Sequence, residues 1–295
     1  MRLDRKNIVL VCCCSAFIVV QSIPRRGLAA GEPSHHLKLS WADEYLTIRG
    51  SALPGSRILV HYLEAYCRDG STDRAWEDTV IGHHTKLIAA APDGHELKLR
   101  STLDDGVIVE HQITTRRVDD KADAVDFHVV AANPTNKDSR AIWAQPCIRV
   151  DKFTGLTQQT YLPHCFVYIN GRLTRLPTIP WATKARYNPG QVYCPAGVNR
   201  NDVNPRPLSP LVPSNGLIGC FSGDEREIMG VAWQPYQELF QGVGVCIHSD
   251  FRIGGLHPGE MKRIRGTMYF TSAGPEALLK QYEMDYPEQT TPCAN

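Results

Sequence analysis

The chain has 295 residues, 32 Lys and Arg against 31 Asp and Glu, and a formal net charge of +1. That length suits one large domain or two small ones. A balanced charge, with basic residues confined to short patches such as Arg116-Arg117 and Lys262 to Arg265, excludes a dedicated nucleic-acid binder.

The N-terminus has the layout of a targeting segment. Arg2, Arg5 and Lys6 precede an apolar run from Ile8 to Val20, and Leu28-Ala29-Ala30 supplies small residues before Gly31. The run is shorter than the roughly 20 apolar residues a membrane-spanning helix needs. The expectation is a signal peptide at 1–30 and a secreted or periplasmic protein at 31–295, with no stable membrane insertion after cleavage. Of the ten cysteines, Cys12, Cys13 and Cys14 sit in the leader, so an odd number remains downstream. In an exported protein disulfides are possible. Cys165 and Cys194, which flank a loop-rich region, are the expected pair. Cys147, Cys220 and Cys246 lie in apolar runs and are expected as buried thiols. No CxxC follows the leader, so spacing gives no metal site, and no cofactor is expected.

Downstream, the chain reads as short strands separated by Gly, Pro and Asp. They are Leu37 to Leu39, Leu46 to Ile48, Ile58 to Tyr66, Thr79 to Ala89 and His95 to Leu99. Val107 to Thr114 alternates, with Val107, Val109, His111 and Ile113 on one face, and Val125 to Ala132 and Ala141 to Val150 follow. Thr183 to Asn215 holds Pro189, Pro195, Pro205, Pro207, Pro210 and Pro213, and is read as a long lid loop within one domain. Val243, Val245 and Ile247 then alternate with Gly244, Cys246 and His248, so His248 is expected where a strand ends. Met268 to Phe270 form a later strand, and only Pro275 to Tyr286 reads as helix. Strands every ten residues or so, without helices between them, predict an all-β protein of two packed antiparallel sheets.

Two rows of side chains could carry chemistry. Trp143, Gln145, Cys147 and Arg149 share a strand face, and a Trp, an amide and a guanidinium in one row suit a sugar platform. Tyr62, Glu64, Tyr66 and Arg68 form a second row by the same alternation, with Tyr66 and Arg68 as recognition groups. His248 is the candidate general base, with Asp250 two residues on to orient it. Of the adjacent His83 and His84 only one can face a given site, and His83 is taken as a substrate contact. Trp181, Tyr187, Tyr193, Trp233 and Tyr236 lie in or near long loops, where aromatic faces stack on sugar rings.

The order of Asn133-Pro134-Thr135, a strand with a polar centre, a long loop, Gly244 to Asp250 (GVCIHSD) and Leu256 to Glu260 (LHPGE) resembles the galactose mutarotase-like superfamily. The matching segments are Asn133 to Phe153, Gly244 to Phe251 and Leu256 to Phe270. The resemblance implies a large two-sheet supersandwich that handles carbohydrate. In sugar mutarotases the first segment bears a general-acid His and the second a general-base Glu. Here Gln145 stands nearest the acid and His248 at the base position. An amide does not titrate near neutral pH, so ordinary mutarotation by a Glu/His pair does not carry over. The expected protein binds or processes carbohydrate, by epimerase (isomerase) or lyase chemistry, with His248 as base and Arg149 or Arg68 neutralising developing charge. Two alternatives stay open: a non-catalytic carbohydrate-binding or cell-surface module, and a metal-dependent hydrolase.

Overall fold

A computed structural model describes residues 37–71, 75–177, 191–204, 207–242 and 244–289. The expected signal peptide, Trp181, Tyr187 and part of the expected lid lie outside the described residues. In chain order the first strands are β1 (Leu37–Ala42), β2 (Tyr45–Gly50), β3 (Arg57–Cys67), β4 (Val80–Ile81), β5 (His83–Ala90) and β6 (Glu96–Leu103). Next come β7 (Ile108–Asp119), β8 (Ala122–Ala132), β9 (Trp143–Arg149), β10 (Cys165–Ile169), β11 (Arg172–Arg175) and β12 (Gln191–Tyr193). The last are β13 (Ile218–Phe221), β14 (Ile228–Gln234), β15 (Tyr236–Gly242), β16 (Cys246–Arg252) and β17 (Met261–Thr271). Helices are short: α1 (Trp76–Thr79), α2 (Asp151–Thr154) and α3 (Pro275–Asp285).

Among the described residues the strands form two antiparallel sheets, as expected. The first runs β1-β2-β3-β9-β16-β15-β12, with β4 added to β3, and the second runs β11-β10-β13-β14-β17-β8-β7-β6-β5. Period-two patterning supplies the shared core. In β6 and β7 the buried positions alternate with exposed ones, so Leu97, Leu99, Val109 and Ile113 face inward while Lys98, Glu110 and Gln112 face water. They meet Ile48, Val60, Ile148, Ile247 and Phe251 of the first sheet. Each such side chain, fully buried, contributes roughly 1.5–3 kcal/mol. A separate cluster forms where Leu278, Tyr282 and Tyr286 pack against Ala124, Tyr269 and Phe166 of the second sheet.

Three local readings differ from the sequence expectation. The run from Thr79 to Ala89 is not one strand: β4 pairs with β3 in the first sheet, and β5 pairs with β6 in the second. The chain changes sheet at Gly82, where a Cβ would sit 2.1 Å from Asp104 Oδ2, so only glycine fits without displacing that carboxylate. The expected lid contains an edge strand, because β12 pairs with β15. Finally, Cys165 and Cys194 are free thiols, Cys165 in β10 of the second sheet and Cys194 just after β12 of the first, and Cys165 stands opposite Cys220 instead.

Candidate functional site

The site is a polar grid on the outer face of the first sheet, facing away from the core. In β9, Ala144 and Ile148 enter the core, so Trp143, Gln145, Cys147 and Arg149 point outward. In β16, Ile247 and Phe251 enter the core, which turns Cys246, His248, Asp250 and Arg252 outward. The two strands keep one register from Cys246 opposite Arg149 to Arg252 opposite Trp143. Pro146 has no N–H to give the ladder and sits at the break in pairing. That register sets Cys147 opposite His248 and Gln145 opposite Asp250. On one side, β15 adds Phe240 opposite His248 and Glu238 opposite Asp250. On the other, β3 adds His61 opposite Cys147 and Ala65 opposite Gln145. One row across the sheet is therefore His61, Cys147, His248, Phe240; the next is Ala65, Gln145, Asp250, Glu238.

A bulge in β3 completes the grid. Leu63 adopts a φ of 65°, and the register slips between His61 and Ala65. The extra residues carry Glu64 onto the outer face, where its Oε2 accepts a hydrogen bond from Gln145 Nε2 at 3.2 Å. His61 Nδ1 lies 3.9 Å from Glu64 Oε1, and the Tyr45 ring stacks on His61 at 5.0 Å. Arg149 Nη1 donates to the carbonyl of Gly244. His61, Glu64, Arg149 and Tyr45 are only partly buried and form the rim.

The centre of the grid is covered. His248 is 1% exposed, and Asp250 and Glu238 are 0% exposed. The cover is the segment after β12. Val198 and Val203 pack with Val192, Cys194 and Phe240, while Asn204 N–H donates to Glu238 Oε2 at 2.8 Å. Asn204 Nδ2 also reaches Gln145 Oε1 at 3.4 Å. Ser71 Oγ donates to the Val203 carbonyl, and Gly70 N–H donates to Asp202 Oδ1, which pins the cover to the end of β3.

Electrostatics follow from these contacts. Burial alone pushes the His248 imidazole down, but Asp250 and Cys246 outweigh it and lift its pKa to about 10. Burial raises Asp250 to about 6, with His248 pulling the other way. Between those values the two form an ion pair, Nδ1 to Oδ1 at 3.6 Å. A hydrogen bond from Cys147, with His248 beside it, holds the Cys246 thiol well below its ordinary value, and Cys147 is raised correspondingly. An imidazole charged at neutral pH donates a proton rather than accepting one, which differs from the base expected of His248. Its position differs too: it lies inside β16, because Gly244 and Val245 belong to the turn before the strand.

The expected site residues divide cleanly. His248, Asp250, Arg149 and Gln145 share the grid. Arg68 lies past the end of β3, and its guanidinium donates to the carbonyls of Val80 and Asp78. Trp143 is on the outer face but 0% exposed, packed with Ala65, Cys67 and Trp76, so its ring offers no open platform. Tyr66 shares the inward face of Tyr62, and its hydroxyl meets His111 Nε2 at 3.3 Å. His83 belongs to the second sheet and contacts Tyr66 edge-on. Trp233 is buried between Phe127 and Phe251 in the core. Sequence alternation missed Glu238, Asn204 and the His61–Glu64 pair. Strand pairing brings Glu238 and His61 to the grid, the bulge brings Glu64 and the cover brings Asn204, and none of these has a local sequence signature.

Among solved structures, the chain is similar to a galactose mutarotase-like protein from Lactobacillus casei. Sequence identity is 7% across 79% of this chain and 99% of that one, with a TM-score of 0.44. No family model and no curated protein matches the sequence. Among the described residues, no helix is long and apolar enough to cross a membrane.

Proposed function

We propose that this protein is exported and binds carbohydrate at the rim of the polar grid, with the segment after β12 acting as a lid over its centre. The observation that carries the reading is the Glu64 carboxylate. It is partly exposed, fixed by Gln145 Nε2, and set beside His61, Tyr45 and Arg149. Strand-mounted donors and acceptors at fixed spacing suit neighbouring sugar hydroxyls, and the Tyr45 ring supplies an aromatic face. The three segments that suggested carbohydrate from sequence support it by converging. β9 and β16 are neighbours, and Asn133 is bonded to Leu256, Gly259 and Glu260.

Proton transfer, the step epimerases and lyases share, falls in this reading to Glu64 and His61, the accessible carboxylate and imidazole. Arg149 neutralises developing charge. The test is calorimetric titration of the wild type and Glu64→Gln with a glycan panel, alongside product detection by NMR. The expected result is one class of glycan bound by the wild type and bound at least about tenfold more weakly by the variant, the loss of one charge-assisted hydrogen bond. Equal affinity in the two proteins defeats the assignment of the rim. Binding without product identifies a non-catalytic module.

A further inference from the structure

Beneath the rim, the grid brings two thiols and an imidazole together. Cys246 and His248 stand two residues apart on β16, hence on the same face, and Cys147 stands opposite His248 on β9. One ligand atom from each lies within 4.8 Å of the other two, and all three residues are buried. Neither thiol is in a disulfide. A tetrahedral zinc ion, with bonds of about 2.3 Å to sulfur and 2.0 Å to nitrogen, spaces its ligands roughly 3.5 Å apart. Side-chain adjustment of about an ångström closes this cluster to that spacing.

A second observation points the same way. Asp250 is fully buried, and its carboxylate is turned to His248. Its Oδ1 faces His248 Nδ1 at 3.6 Å, which leaves the other ring nitrogen for a ligand. A carboxylate behind a metal-bound imidazole fixes the tautomer and strengthens the ligand. The Phe240 ring, 4.8 Å from the imidazole, limits how the ring can turn.

We propose that Cys147, Cys246 and His248 form a binding site for a thiophilic divalent cation of the zinc type, with Asp250 positioning His248. Two sulfurs and one nitrogen favour zinc over magnesium or calcium, which take oxygen ligands. A three-ligand set leaves a fourth position for water or a ligand atom. The strands supply the site without a CxxC or HxH spacing, because the third ligand comes from across the sheet. The proposal goes beyond the carbohydrate reading and stands whether or not a glycan binds.

The test uses the mature chain, reduced and stripped with a chelator, then titrated with Co2+ and with Zn2+ as competitor. One Co2+ should bind per chain with the visible absorption of tetrahedral thiolate-bound cobalt, and Zn2+ should displace it. Cys147→Ser and Cys246→Ser should abolish that spectrum, and Cys220→Ser should leave it unchanged. Asp250→Asn should weaken binding by about 10- to 100-fold, the usual loss when the partner of a ligating histidine is removed. For the case in which the serine variants do not fold, alkylation of the wild type followed by peptide mapping decides: zinc should shield Cys147 and Cys246 selectively. A folded, reduced chain that binds no Co2+, cobalt binding that survives loss of both thiols, or shielding of other cysteines instead overturns the proposal.

Discussion

His111 and His248 are each 1% exposed, yet they sit in opposite electrostatic worlds. His111 lies between the sheets. Tyr62 Oη lies 3.0 Å from its Nδ1, and Tyr66 Oη and Ser101 Oγ lie 3.3 and 3.4 Å from its Nε2. Every partner is neutral, so burial, helped by the charge of His83, pushes its pKa down to about 3. His248 faces outward beneath the cover, and its partners are a carboxylate and a thiol that lowers its own pKa to meet it. The same burial that keeps His111 neutral is overcome at His248. Burial sets the cost of a charge; the neighbours decide whether that cost is met.

The largest expected effect comes from breaking the charged side of this comparison. In the zinc-free protein His248→Ala leaves Asp250 buried without its counter-charge and should destabilise the fold by about 3–5 kcal/mol, read from urea denaturation. Replacing His248 and Asp250 together by Leu should recover most of that loss. If the single variant is as stable as the wild type, the ion pair is not what holds this face.

The neutral side responds to acid. The folded pKa of His111 lies below that of the unfolded chain, so the unfolded chain takes up a proton first as pH falls. Its contribution is full above about pH 6.5 and is lost toward pH 3, at up to roughly 1.4 kcal/mol per pH unit. Denaturation of the wild type and His111→Leu at several pH values should show the steeper acid loss in the wild type. Parallel pH profiles would mean that the folded protein protonates His111 with ease. At neutral pH the same variant leaves the hydroxyls of Tyr62 and Tyr66 without their partner and should cost about 1–3 kcal/mol.

The smallest effect is expected where charge meets water. Arg100 and Glu110 pair at 2.6 Å across β6 and β7, but both side chains are about half exposed. Arg100→Ala should change stability by less than about 1 kcal/mol, and less again in high salt. A larger loss would place this pair in the same class as the buried one.

Much of this arrangement is written in local sequence. In β9 the alternation of Ala144 and Ile148 with Gln145, Cys147 and Arg149 tells which side chains leave the core, and no bulge disturbs it. The same holds for β7, where Val109, His111 and Ile113 turn inward. Period-two patterning is a property of the backbone, so a reader of the sequence recovers it wherever the strand is regular. In β3 the same reasoning fails after Leu63. One left-handed residue opens the bulge that sends Glu64 to the rim, while Tyr66 keeps the inward face of Tyr62. The run through Gly82 fails for a similar reason, since a single strand pattern serves two sheets there.

The sequence by itself therefore determined an all-β chain, the regular strand faces, and the presence of His248 and Asp250 two residues apart on one of them. Tertiary structure alone decided which strands became neighbours, and so put Cys147 beside Cys246 and His248 and Glu238 beside Asp250. It also decided that a segment more than 40 residues before His248 would cover that face and exclude water from it. Alternation fixes the direction of a side chain, but its protonation and its chemistry depend on partners brought from distant strands and on the solvent they displace.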